Sequence, residues 1–256
     1  MALTKVIGDG LGGTNSLTID TDTLIVDSTN DSVGINVASP NSYYSTDLVV
    51  GVGDNGGITI ANTNTAHAGC IMFADGTSGS DRLRGQLVYD HNDNSFGIWT
   101  NATNAMSIDS TGAMTKPLQP AFMAKPSSNQ TNVPTNTVIE FGNEVFDQNG
   151  DFNTSTHTFT APKTGRYLIS LSMRMDSVDT DMNYCRFKIE TSNNTFDANI
   201  IDPGVFNGDP TYWNFQTTVL ADMDAADTAV VKWNYSSGAN NADTSTDSTF
   251  SIFLAC

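Results

Sequence analysis

The sequence predicts an all-β protein, and three observations carry that expectation. Its acids are aspartates: of 28 Asp and Glu, only Glu140, Glu144 and Glu190 are glutamate. Aspartate serves turns and caps, whereas glutamate serves helix interiors. Apolar residues recur two apart in short runs, as in half-buried strands. Asn, Thr, Ser and Gly punctuate those runs, and no apolar stripe at helical spacing has useful length; ADMDAADTA (221–229) comes nearest.

Taken in order, residues 1–20 are Gly-rich and polar and read as an anchoring or adaptor segment. From 21 to 60, the short β runs LIV (24–26), VGINV (33–37), DLVVGV (47–52) and ITIA (58–61) alternate with Asp/Asn/Ser/Gly turns. Between 68 and 114 the apolar pairs Ile71/Phe73, Leu87/Tyr89, Phe96/Ile98 and Met106/Ile108 each lie within a short strand. Such strands expose about as much polar as apolar surface, so one copy struggles to offset the entropy of ordering them. Three interleaved copies supply the missing apolar partners. Lys116-Pro117-Leu118-Gln119-Pro120 is a stiff extended link. It divides the chain into a 1–20 anchor, a 21–116 shaft and a 117–256 head. In the head, Gly165 follows the turn cluster Pro162-Lys163-Thr164, and Tyr167, Ile169 and Leu171 then recur at period two. Trp213, Phe215, Thr217 and Val219 share one face of a later strand, so Trp213 is expected in the core, as is Trp233. The polar segments 191–211 and 236–248 read as loops, the natural contact surface on a rigid scaffold.

Two independent segments carry family resemblances. Phe141, Asp147, Phe152, Phe159, then Gly165-x-Tyr167-x-Ile169-x-Leu171 fall at the spacing of the signature of the globular head of complement component 1q. The stretch therefore resembles that family and its tumour-necrosis-factor-like relatives. WNFQTTVLADMDAADTAVVKW (213–233) resembles the family's strand–turn–strand unit, with Asp227 near the aspartate of its Gly-Asp turn and Ala226 in place of the glycine. STFSIFLAC (248–256) resembles its closing strand, with Ile252 where a glycine is usual. The resemblance covers residues 120–256. It implies a jelly-roll sandwich, a homotrimer and a binding role, with Phe141, Phe152, Phe159, Tyr167, Phe250 and Phe253 in core or trimer contacts. No collagen-like Gly-X-Y repeat precedes it.

In front of the head, SVGINVASP (32–40) resembles the Val-Gly-Ile-Gly-Thr cassette of bacteriophage tail-fibre shafts, with Asn36 for the second glycine and Leu48 and Val50 in the strand that follows. Residues 68–114 look like the same fibre modules. The likeness implies fibre-shaft β modules wound as an intertwined trimer.

Composition narrows the partners. With 28 acids against 11 bases the formal charge is −17, and no basic residue lies between Lys5 and Arg82. Nucleic-acid binding needs clustered Lys and Arg, so nucleic acid is not an expected partner. Cys70, Cys185 and Cys256 form no disulfide framework, which fits folding in a reducing cytoplasm. MALTKVIGDGLGG lacks the apolar core of a secretory signal, and no apolar run approaches the ~18 residues that span a bilayer, so membrane insertion is not expected.

The usual catalytic arrangements are missing. His67, His91 and His157 are scattered, no Cys-x-x-Cys or His-x-x-His supports zinc, and GDGLGG (8–13) lacks the strand, helix and lysine of a phosphate loop. There is no Gly-x-Ser-x-Gly nucleophile motif. No cofactor is expected, with one minority reading. Asp176, Asp179 and Asp181 alternate in one acidic loop and Asp222, Asp224 and Asp227 occupy another, so the first set is a candidate Ca2+ site against the default of solvated turns.

The combined reading is a non-enzymatic, homotrimeric virion fibre protein, assembled in bacterial cytoplasm and displayed on the virion surface. Its N-terminal segment meets other virion proteins. Its head meets a host surface glycan or protein through Asn193, Asn194, Phe196, Asp197, Asn207, Asp209, Asn240 and Asn241. One alternative is a capsid head-fibre or knob with a structural role. A glycan depolymerase and a secreted cellular relative of complement 1q are further alternatives, the last disfavoured by the absent signal and disulfides.

Overall fold

A computed structural model describes residues 17–19, 23–27, 29–239 and 242–256. Two compact units emerge: the chain up to Cys70 together with Asp90–Asn92, and Ile71–Tyr89 together with Asp93–Cys256. Most of the expected 1–20 anchor lies outside the described residues, as do Asn240 and Asn241.

In the first unit, β1 (Leu17–Ile19), β2 (Leu24–Asp27), β3 (Ser32–Ile35) and β4 (Leu48–Val50) form a sheet in chain order. The first two pairings are antiparallel and β3–β4 is parallel. Asn36 stands where the shaft cassette has glycine, and it adopts φ +56, a left-handed conformation that asparagine tolerates better than most residues. Its Nδ2 donates to the Gly51 carbonyl at 3.1 Å, tying the turn to the end of β4.

Next come β5 (Ala68–Phe73), β6 (Gly85–Asp90), β7 (Ser95–Thr100), β8 (Thr103–Ile108) and β9 (Met114–Thr115), one five-stranded sheet in chain order. The expected break at 116–120 is held rather than free. Gln148 Nε2 donates to the carbonyls of Lys116 at 2.9 Å and Gln119 at 2.6 Å, and Gln119 Nε2 donates to the Leu254 carbonyl at 2.5 Å.

The head is a two-sheet sandwich of β10 (Ala121–Lys125), β11 (Thr137–Val138), β12 (Asn143–Asp147), β13 (Phe152–Asn153), β14 (Thr158–Thr160), β15 (Gly165–Asp176), β16 (Tyr184–Thr191), β17 (Thr195–Ile201), β18 (Tyr212–Met223), β19 (Thr228–Ser236), β20 (Asp243–Thr244) and β21 (Thr249–Leu254). One sheet runs β12-β10-β21-β15-β18, with β20 also on β15; the other runs β13-β14-β19-β16-β17, with β11 on β19. This is the jelly roll that the resemblance implied.

Alternation drives the packing. Along β15 every second side chain from Tyr167 to Met175 is buried, and β16 and β19 turn the same period towards it. Phe122 stacks on Phe152 with centroids 4.5 Å apart, meets Phe250 edge-on at 5.2 Å, and lies 5.4 Å from Phe159. Phe159 in turn meets Tyr167 at 5.5 Å, and the Tyr167 hydroxyl donates to the Lys163 carbonyl at 2.6 Å. Gly165 is required by a close approach: a Cβ there would lie 2.7 Å from the Cys256 carbonyl oxygen.

Two expectations need correction, those for segment 191–211 and for Trp213. Segment 191–211 is not one loop, because β17 occupies its middle with Ala198 buried and Phe196 packed against the core. Phe253, one of the residues expected in core or trimer contacts, is not in the core: it points out of the sandwich at 45% exposure, since the period that buries Phe250 and Ile252 turns it to the opposite face. Ile252 is itself buried, paired between Phe122 and Ile169, so a large residue is accommodated where the family has glycine. Trp213 faces the sandwich interior but lies beyond the core's end, tilted against Phe206 with ring centroids 4.8 Å apart and 37% exposed.

Candidate functional site

The strand register sorts the head's surface into a linker end, a far end and two outer faces. At the linker end sit Ala121, Gly165, Met223 and Cys256, together with the 191–194 and 224–227 turns. Asn193 and Asn194 therefore lie beside the linker rather than at a tip. Asn193 Nδ2 donates to Asp227 Oδ2 at 2.6 Å, and the Asn194 carbonyl accepts from Thr191 N–H at 2.8 Å.

The far end gathers the segments 177–183, 202–211, 237–239 and 242–248. They are braced by carboxylates. Asp209 accepts the Thr180 hydroxyl at 2.7 Å and its N–H at 2.8 Å, and these bonds hold the Asp209 carboxyl below its usual range, the hydroxyl first. Asp179, nearly buried, accepts the backbone N–H of Asp181 at 2.8 Å and that of Ala239. Arg174 is shared between Asp176 at 2.8 Å and Asp247 at 2.7 Å, and its guanidinium lies 5.2 Å from the exposed Tyr212 ring. Of the candidate Ca2+ ligands, Asp176 is thus engaged by Arg174 and Asp179 by backbone N–H groups. Among the described residues no three His, Cys, Asp or Glu converge as a metal site.

The expected contact residues consequently separate. Asn207 and Asp209 sit at the far end, and Asn193 and Asn194 at the linker end. Asp197 sits on the outer face of the β17-containing sheet, where it binds Arg186 at 2.6 Å. Phe196 belongs to the core edge. Of the six core or trimer residues, Phe141, Phe152, Phe159, Tyr167 and Phe250 are buried, and only Phe253 reaches the surface.

A surface that the sequence reading did not single out lies on the outer face of the β15 sheet. Two rows cross it in register: Ala121–Phe253–Leu168–Leu220, and Phe146–Met123–Ser251–Ser170–Thr218. Ser170 and Thr218 share a hydrogen bond at 2.8 Å. Neither row carries a charge, although the chain bears −17. Charges return at Arg166 and Asp222 on the linker side, at Lys125 in the next row towards the far side, and at Arg174 and Asp176 beyond it. Between the margins lies an open trough lined by Met123, Ser170, Ser172, Gln216 and Ser251. The signal was present in the sequence: Leu168 and Leu220 are the off-phase residues of alternating strands, the positions where a solvated face would place polar side chains.

Cysteine chemistry is quiet. Cys185 is buried, which pushes its thiol up to about 12, while Cys70 and Cys256 are exposed and unbonded.

Residues 121–255 match the C1q domain family. Among solved structures, the globular domain of zebrafish complement 1qA is 15% identical, with 54% of this chain and 98% of that chain covered and a TM-score of 0.42. Murine APRIL at pH 8.5 is 12% identical over 53% of this chain and 98% of its own, with a TM-score of 0.40. The Eiger tumour necrosis factor of S. frugiperda is 10% identical over 54% and 92%, with a TM-score of 0.41. No curated protein sequence matches the chain.

Proposed function

Because this chain belongs to the C1q domain family, whose members are often trimeric and used for binding, we propose that it is a homotrimeric, non-enzymatic fibre protein on a virion surface. Its head attaches the particle to a glycan or protein on the host bacterium. The single observation that carries the trimer is the uncharged two-row band across the outer face of the β15 sheet. A face with Leu220 54% and Phe253 45% exposed, in so acidic a chain, is what an interface between like copies requires. The fibre assignment rests on the shaft-like cassette at 32–40 and on the β-rich segment in front of the head. Residues 1–20 dock on other virion proteins.

Far-end loops form the receptor surface in this reading. Asn207, Asp209 and residues 242–248 present polar groups on a braced frame, so little ordering entropy is lost on contact. Three copies raise a modest affinity by roughly 10²–10⁴ when the geometry allows simultaneous engagement. Ca2+ has no part in this reading, since two of its three candidate carboxylates are already engaged.

The experiment is competition. Full-length protein incubated with susceptible bacteria should block adsorption of particles and release no reducing sugar. Failure to bind cells or compete would give way to the capsid-decoration alternative, and sugar release would favour a depolymerase.

A further inference from the structure

The far end of the head carries an aromatic pair that the sandwich core does not absorb. Phe206, in the loop before β18, meets the Trp213 indole with the ring planes 55° apart. Rings so tilted do not seal each other's faces. Trp213 and the neighbouring Val205 are exposed, and Phe206 is half-buried. The loop that holds them is fixed by its own bonds. Asp202 accepts the Gly204 N–H at 2.9 Å, the Phe206 N–H donates to the Pro203 carbonyl at 3.0 Å, and Asp209 ties the loop to Thr180. Both Thr180 bonds land on Asp209 Oδ1; among the described residues Oδ2 has no partner. An ionised carboxylate oxygen only accepts hydrogen bonds.

We propose that this loop is a subsite for a neutral glycan: the Trp213–Phe206 pair receives the C–H face of a sugar ring, and Asp209 Oδ2 accepts its hydroxyls. The inference rests on the far end being the receptor surface, and it narrows the ligand from glycan or protein to one class. Three observations select that class. A sugar ring pairs an apolar face with a rim of hydroxyl donors, which an aromatic pair beside an acceptor-only carboxylate complements. Segments 177–183, 202–211, 237–239 and 242–248 contain six aspartates and neither Lys nor Arg, so a phosphorylated, sulfated or uronate-bearing glycan is repelled. Five of the six are already bonded: Asp179, Asp202 and Asp243 to backbone N–H groups, Asp209 to Thr180 and Asp247 to Arg174. They build the surface and offer little free charge to a basic protein. Rings held in a braced loop also lose little conformational entropy on contact.

Binding of labelled full-length protein to susceptible bacteria, untreated and pretreated, tests this. Periodate, which cleaves the vicinal diols of sugars, should reduce binding by at least ~10-fold. Binding that survives periodate and is lost when protease strips the cells would overturn the glycan assignment and leave attachment by the head intact. Raising NaCl from about 50 to about 500 mM should weaken binding less than ~5-fold, because no opposite charges meet. A larger loss would overturn the neutral assignment. Trp213→Ala should weaken binding by at least ~30-fold, with wild-type mass in solution and circular dichroism, and Trp213→Phe should restore most of it. A folded Trp213→Ala chain that binds as wild type would overturn the subsite. Wild-type protein that binds no untreated cells would overturn both this inference and the receptor reading. The pretreatments use wild-type protein and do not depend on any variant folding.

Discussion

The middle sheet (71–115) and the head (120–256) are written in the same period, and only one of them has an interior. In β15 the alternate residues Tyr167, Ile169, Leu171, Met173 and Met175 are buried because β16 and β19 lie opposite with the same phase. In β7 and β8 the alternate residues Phe96, Ile98, Met106 and Ile108 line up as regularly, yet Phe96 is exposed and the other three are only half-buried. Alternation fixes which side of a strand is apolar and leaves open what covers it. Where two sheets of one chain face each other, the answer lies within the subunit.

The comparison breaks most sharply at Phe159, which has no exposed surface and touches Phe122 and Tyr167. Phe159→Ala should destabilise the head by about 3–5 kcal/mol, the usual cost of deleting a buried aromatic. Phe96→Ala should leave the calorimetric transition of the head unchanged. Equal effects of the two would erase the distinction drawn between the regions.

Leu220→Asp probes the head's outward face. A charge left unpaired in a covered interface costs about 3 kcal/mol, so association should weaken by at least ~100-fold while the head's circular dichroism stays native. Unchanged association in sedimentation would remove this face from the trimer.

Asp147 tests the head's internal bracing. Its carboxylate accepts the N–H groups of Asn149, Gly150 and Asp151 at Oδ1 and that of Phe152 at Oδ2, at 2.8 to 3.4 Å. Asp147→Ala should cost about 1–3 kcal/mol in denaturant titration. A neutral outcome would show that water replaces it freely.

The smallest effect has the opposite sign. Ala226 adopts φ +76 in the turn where related sequences carry glycine, a conformation costly for a residue with a Cβ. Ala226→Gly should raise stability by about 1 kcal/mol at most, read as a small upward shift in melting temperature.

Much of this was legible in the sequence. The aromatic signature from Phe141 to Leu171 located the core, and the off-family residues Asn36 and Ala226 marked the left-handed positions. What misled was polarity. Thr195–Ile201 sets Thr195, Asp197 and Asn199 on the wet face of an edge strand, and with polar neighbours on both sides it read as loop. Seven residues of extended chain span about 23 Å, which carries Asn193 and Asn207 to opposite ends of the head. Neighbours in sequence were thereby mistaken for one contact surface. Removing residues 193–199 would delete most of β17, including the buried Ala198, and is a test of folding rather than of binding.

The account stands on the chain being a trimer, and the most direct measurement is its mass in solution. Sedimentation equilibrium of the full chain at micromolar concentration should give three chains of 27.3 kDa, about 82 kDa. A well-folded species of 27.3 kDa would contradict it, because Leu220, Phe253 and the apolar face of the middle sheet would then be left facing water.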